Sequence, residues 1–256
     1  MISVVVLGAG NVGSHLVKTL QRAKNINLVQ WYSRDKNSIK SGPKDIEVCH
    51  NLNNIKNADI YIIAVTDKAI EALSKKLPFE NRLVVHTSGS IPLKKIDIKH
   101  KRGVFYPIQT FSKTSDLEFS EVPFCIETMR KEDSNQLRTL ANYMGSPSHL
   151  INTEQRQALH LSAVFINNFS NQLYRIAHEL SDHKSVNFDI LKPLILETAK
   201  KVQFTSPYNA QTGPAKRNDQ VTINYHLRTL ESHPDFQEIY KQLTNSIKIT
   251  HGLKKL

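Results

Sequence analysis

The sequence predicts an α/β protein, a doubly wound parallel sheet followed by an all-α segment. Three observations carry that expectation. Short β-branched runs alternate with amphipathic stretches through the first 150 residues. A Gly-x-Gly-x-x-Gly loop follows the first run and opens the first helical stretch. From Asn152 onward the strand signal fades and long helical stretches take over.

Taken in order, the strand candidates are Ile2–Leu7, Asn27–Tyr32, Asp59–Val65, Arg82–Thr87, Gly103–Pro107 and Pro123–Glu127. Helices are expected between them, at Val12–Ala23, Asp67–Leu77 and Lys131–Met144. The second half reads as helices near 153–183, 188–204, 219–230 and 235–250, with Asn152 and Gln155 spaced as a capping box. The expected division is residues 1–151 for the sheet domain and 152–256 for the helical domain.

Composition narrows the class. With 39% hydrophobic and 22% charged residues, the chain is globular rather than disordered. Its apolar runs stay far below the roughly 20 residues of a membrane helix. The N-terminus enters a strand-like run without a basic leader, and two cysteines, Cys49 and Cys125, build neither a disulfide framework nor a metal site. A cytoplasmic protein without a metal is expected. The net charge of +11 is spread over both halves, and even the densest stretch, Lys94–Arg102, lacks interleaved aromatics. That argues against nucleic acid and for small anionic molecules.

In the loop Gly8-Ala9-Gly10-Asn11-Val12-Gly13, Gly8 permits a tight turn and Gly10 a close backbone approach to a pyrophosphate. Gly13 permits close helix–strand packing, and the helix N-terminus offers oriented N–H groups. This is the signature of a Rossmann-type dinucleotide site. The second strand ends in Tyr32-Ser33-Arg34, without the acid that holds the ribose 2′-hydroxyl of NAD. A hydroxyl and a guanidinium suit a 2′-phosphate, so NADP is favoured, although Arg34 also reads as a solvated surface residue.

Ligands of such a sheet gather at the carboxyl ends of its strands. Ala64, Val65 and Thr66 are nominated there for the cofactor, with Thr87, while Ser88 is nominated for the substrate. Asp67 reads first as a helix cap. His86 reads equally as a substrate-facing group or a satisfied core histidine.

Ala158–Tyr174 holds no charged residue, so it is expected to be buried. At 100° per residue, Asn167 and Asn171 fall within about 20° of His160. His160, Asn168 and Asn171 are therefore candidates for ligand contact, or for a polar seam packed against protein. Thr212–Asp219, with Lys216 and Arg217 on a Gly-Pro turn, reads as an anion site or as a solvated surface turn.

These segments, together with Pro107–Phe111, resemble bacterial Rossmann-like proteins that pair an NADP-binding domain with a C-terminal helical domain of unknown function. More distantly the chain is similar to the group of pyrroline-carboxylate reductase, 3-hydroxyisobutyrate dehydrogenase, phosphogluconate dehydrogenase and the deazaflavin-dependent NADP reductases. The resemblance implies a helical domain like the C-terminal one of phosphogluconate dehydrogenase, and a homodimer. Hydroxyacid dehydrogenases of the group carry a lysine three residues before an Asn-Asn pair. Asn167-Asn168 matches that pair, but Val164 stands in the lysine's place.

His160 is then the best available acid. The expected activity is NADP-dependent reduction of a small carbonyl or imine substrate. The alternative is a non-catalytic NADP-binding sensor or regulatory subunit.

Overall fold

The computed structural model describes residues 1–39, 46–112 and 117–253. The chain divides into two compact units, Met1–Phe169 and Ser170–Leu256.

In the first unit, β1 (Ile2–Leu7), α1 (Asn11–Arg22) and β2 (Ile26–Tyr32) make the opening strand–helix–strand unit. β3 (Glu47–Cys49), β4 (Ile60–Ile63), α2 (Asp67–Lys76), β5 (Leu83–His86) and β6 (Lys101–Pro107) continue it. β7 (Phe124–Thr128), α3 (Lys131–Tyr143), β8 (Ser148–Leu150) and α4 (Thr153–Ala163) follow. The sheet order is β3-β2-β1-β4-β5-β6-β7-β8. Every neighbouring pair is parallel except β6 with β7. The order reverses between β1 and β4, which opens a crevice beyond the carboxyl ends of those strands.

The period-2 alternation of the strands sorts the core onto two faces. Val4, Val6, Ile60 and Ile62 pack with Leu16 and Leu20 of α1 and with Leu137 and Leu140 of α3. Val5, Leu7, Tyr61 and Ile63 pack with Ile70 of α2. Both faces are covered, which explains why the strands read as near-continuous apolar runs. β3 and β8, three residues each, escaped the sequence reading; they are the two edge strands and lack an apolar alternation.

Asn152 and Gln155 form the expected capping box: the Gln155 N–H donates to Asn152 Oδ1 at 2.8 Å, and the Asn152 N–H to Gln155 Oε1 at 2.9 Å. After α4 the helix passes through a π-helical turn, Val164–Phe169. One expectation is corrected here. Ala158–Tyr174 is not buried in the single chain; Leu161, Phe165 and Ile166 are 59, 61 and 76% exposed. Lack of charge does not by itself place a stretch in a core.

The second unit holds α5 (Ser170–Asp182), α6 (Lys192–Phe204), α7 (Pro207–Ala210), α8 (Pro214–Arg217), α9 (Gln220–Thr229) and α10 (Pro234–Thr250). Asp219 caps α9 by accepting from the Thr222 N–H and hydroxyl, and His226 meets the Tyr240 hydroxyl to tie α9 to α10. Lys216 donates to the Gln211 carbonyl and Arg217 lies 4.0 Å from Asp219. Lys216 and Arg217 thus have neighbours at the turn itself, while Arg217 stays exposed.

Phe105 is fully buried and stacks on Phe124 at 3.9 Å between ring centroids. Phe105→Ala is expected to lower stability by about 3–5 kcal/mol, read in urea unfolding as a lower midpoint with an unchanged slope.

Candidate functional site

The strand ends meet at one level. The Gly8 N–H donates to the Tyr32 carbonyl, the Ala64 N–H to Leu7 and the Thr87 N–H to Ile63, so the loops after β1, β4 and β5 line one edge. Gly8 adopts φ +129°, and a Cβ built there would lie 2.1 Å from the Ala64 carbonyl oxygen. A Cβ on Gly13 would lie 2.3 Å from the Gly8 carbonyl oxygen. These two glycines are demanded by the protein's own backbone.

Gly10 is different: a Cβ there would meet nothing within 4 Å. Gly10 is the N-cap of α1 without a side chain to satisfy the first-turn N–H groups, and that turn carries no acid. Space beside N–H groups that have no side-chain cap among the described residues is what a diphosphate needs, so the residues fit a dinucleotide. The Asn11 side chain turns away from this space and donates to the Phe111 carbonyl at 2.8 Å, while Ala9 and Val12 pack on the core.

At the end of β2, Ser33 is buried and its hydroxyl pairs with Ser38 at 2.5 Å, whereas Arg34 is exposed without an ion-pair partner among the described residues. No carboxylate ends the strand; Asp35 caps the turn that follows it. Beyond β4, Ala64 is buried under Gly8, Val65 is half-buried and Thr66 is exposed. Thr66, not Asp67, is the N-cap of α2, and Asp67 instead accepts from the Ser90 hydroxyl at 2.7 Å. That replaces the expected capping role of Asp67.

In the loop after β5, Ser88 is 9% exposed, and its hydroxyl oxygen accepts from the Ser90 and Ile91 N–H groups at 3.2 and 3.1 Å. Its hydroxyl holds this turn. Thr87 points its hydroxyl at the Ile63 carbonyl at 3.4 Å. His86 is fully buried; its Nδ1 accepts from the Ser88 N–H at 3.2 Å, while its Nε2 has no hydrogen-bond partner among the described residues, so it lies in the core without being fully satisfied there. Burial, reinforced by the nearby Arg156 guanidinium, pushes its pKa down to about 3.

His160 is brought to this loop by α4. Its Nδ1 lies 3.1 Å from the Tyr106 hydroxyl, with the rings edge to face at 5.9 Å. A Cβ on Gly89 would come within 2.6 Å of the same nitrogen, so only glycine admits the imidazole there. Burial raises the Tyr106 pKa, which keeps the phenol protonated at neutral pH. The pairing of Tyr106 with His160 is not legible in the sequence, because 54 residues separate the two. Asn168 lies exposed in the π-turn and Asn171 is exposed on α5. The π-turn breaks the 100° spacing on which the alignment of Asn171 with His160 rested.

Fold and loop define a class: a Rossmann-type dinucleotide domain of the NADP oxidoreductases. Residues 3–89 match the NADP oxidoreductase, coenzyme F420-dependent, family, and residues 122–247 match a domain of unknown function, DUF2520. A candidate NADP oxidoreductase from Bacteroides fragilis is 38% identical, over 98% of both chains, with a TM-score of 0.85. The chain therefore belongs to the family that joins this NADP oxidoreductase domain to the DUF2520 domain.

An imine reductase from Myxococcus stipitatus in complex with NADP+ shares the fold at 16% identity and a TM-score of 0.68, over 99% of this chain and 97% of that one. Pyrroline carboxylate reductase from Plasmodium falciparum, with NADP bound, does so at 12% and 0.62, over 98% of each. No protein of curated function matches the chain. Among the described residues no helix is long and apolar enough to cross a membrane, and no cluster of metal-binding side chains occurs.

The buried His86 has a testable consequence. An unfolded histidine titrates near 6.5, while folded His86 resists protonation until about 3. This histidine therefore costs no stability above pH 6.5, and stability falls as pH drops from 6.5 toward 3. The expected slope from this one group is about 1.4 kcal/mol per pH unit. His86→Asn should flatten urea-derived stability against pH by that amount between pH 6 and 4.

Proposed function

We propose that the protein is an NADPH-dependent reductase of a small carbonyl or imine compound, with His160 as proton donor. The observation that carries this reading is the loop edge itself. Gly10 leaves open space beside N–H groups that have no side-chain cap among the described residues, and the His160–Tyr106 pair stands on a loop of the same edge. Gly8–Gly13 would hold the pyrophosphate, with the N–H groups of α1 opposing its charge. Ser33 and Arg34 would meet the 2′-phosphate, and Ala64, Val65, Thr66 and Thr87 would border the dinucleotide. When bound, NADPH supplies the hydride.

The chain's own task is the proton. With the Tyr106 hydroxyl donating to Nδ1, the proton of neutral His160 sits on Nε2. As the Nε2 proton passes to the oxygen or nitrogen of the reduced group, the Tyr106 hydroxyl proton passes to Nδ1 and water reprotonates Tyr106, so that no imidazolate is left. Asn168 is retained as an amide that orients the substrate; Asn171, in the second unit, carries no part of this reading.

We further read the protein as a cytoplasmic homodimer. The free thiols Cys49 and Cys125, both buried, suit a reducing compartment. The uncharged, exposed stretch Ala158–Tyr174 suits coverage by a second copy, and so, within the second unit, do Ile190, Leu194 and Phe204 at 70, 62 and 90% exposure.

Calorimetric titration separates the roles of the glycines. Gly10→Ala is expected to fold with unchanged unfolding temperature but to weaken NADPH binding at least about tenfold, the loss of one good phosphate contact. Gly13→Ala should fail at the level of stability instead. Arg34→Ala should weaken NADPH and leave NADH unchanged. Wild-type protein that binds neither nucleotide would sink the reductase reading. Tight NADPH binding, with no carbonyl or imine substrate turned over and none lost in His160→Gln, would favour a sensor.

A further inference from the structure

Four residues before His160 on the same face of α4 lies Arg156, whose side chain is fully buried. A guanidinium removed from water needs hydrogen-bond acceptors and a counter-charge. Here Nη1 donates to the carbonyls of Ser88 and Gly89 at 3.0 and 2.9 Å. On the other edge of the fork, Nη2 and Nε donate to Glu127 Oε2 at 3.0 and 3.3 Å. Glu127 Oε1 in turn accepts from the Thr153 hydroxyl at 2.5 Å, closing the set at the first residue of α4.

One side chain therefore joins α4, strand β7 and the loop after β5. That loop contains Gly89, against which the His160 ring is packed, and β6 between β5 and β7 carries Tyr106. The separation between α4 and the loop decides whether Nδ1 meets the Tyr106 hydroxyl. Among the described residues, Nδ1 is the one polar atom hydrogen-bonded to that hydroxyl, and it accepts when the imidazole proton sits on Nε2.

We propose that Arg156, anchored by Glu127, is a positioning residue that fixes the His160 imidazole in the tautomer with its proton on Nε2. The proposal rests on the reading of His160 as proton donor for its meaning, but its test does not. Lysine cannot replace the fork: its ammonium is a point charge without two parallel edges. Arg156→Lys would keep the charge and lose the bridge.

The test uses full-length protein carrying 15N-labelled histidine, with the His160 signals identified by their loss in His160→Gln. Long-range proton–nitrogen correlation at pH 8 distinguishes the two neutral tautomers. Wild type is expected to show a single Nε2–H form. In Arg156→Lys the preference should fall at least about tenfold, to a mixture of tautomers, because Lys cannot hold both edges.

Should that variant fail to fold, Glu127→Gln carries the test, since it removes the anchoring charge and keeps the shape. Gly89→Ala, which pushes the ring directly, confirms that the signal responds to displacement. A wild-type His160 spectrum in folded Arg156→Lys, or in Glu127→Gln, overturns the proposal. NADPH titration of the same samples should give affinities within about twofold of wild type, below the effect of one lost hydrogen bond. Absence of NADPH binding in wild type would instead overturn the reductase reading and leave the tautomer result standing.

Discussion

Three backbone segments approach so closely beside the first strand that no side chain fits between them. Gly8 lies under the Ala64 carbonyl, and Gly13 lies over the carbonyl of Gly8. This contact sets the height of α1 above the sheet and brings the ends of β1 and β4 together at the point where strand order reverses. It also spends two of the three loop glycines on architecture. The remaining one, Gly10, is the only member of the triplet whose missing side chain faces empty space. A loop that looks like one motif is therefore two devices, one that builds the fold and one that receives a ligand.

Away from the glycine loop the site is organised by charge buried on purpose. Taking the Arg156 guanidinium out of water costs several kcal/mol, which a single carboxylate roughly offsets and two carbonyls complete. Replacement by well-packed apolar residues would serve stability as well. What an apolar cluster does not supply is direction, since hydrophobic contacts have no preferred bond angles. Around this one cation the other polar groups stay neutral: His86 is held unprotonated, Tyr106 protonated, and the Cys125 thiol is pushed up to about 11 by burial.

The sequence shows the parts whose causes are local. The first strand, its glycine loop, α1 and the capping box at Asn152 all follow from residues within a few positions of one another. The edge strands Glu47–Cys49 and Ser148–Leu150 do not, because three residues are too few to carry a period. Residue type named Ser88 as a polar group near the cleft, yet only the turn reveals that its oxygen accepts from the Ser90 and Ile91 N–H groups. The His160–Tyr106 and Arg156–Glu127 pairs span 54 and 29 residues, so nothing local announces them. The π-turn at Val164–Phe169 likewise has no compositional mark, and it invalidates any face drawn by counting 100° steps past it.

The long reach of Arg156 also orders events in time. Its carbonyl partners Ser88 and Gly89 precede it by 68 and 67 residues. At translation rates of about 5–20 residues per second, that gap corresponds to roughly 3–14 s on the ribosome. During this interval β1, β4 and β5 have already been made, so the glycine loop is free to close while the β5 loop still lacks its clamp. A nascent chain would thus acquire the nucleotide cradle first and the His160 corner only once α4 emerges. Nucleotide present during synthesis would meet a half-built protein that already has somewhere to hold it.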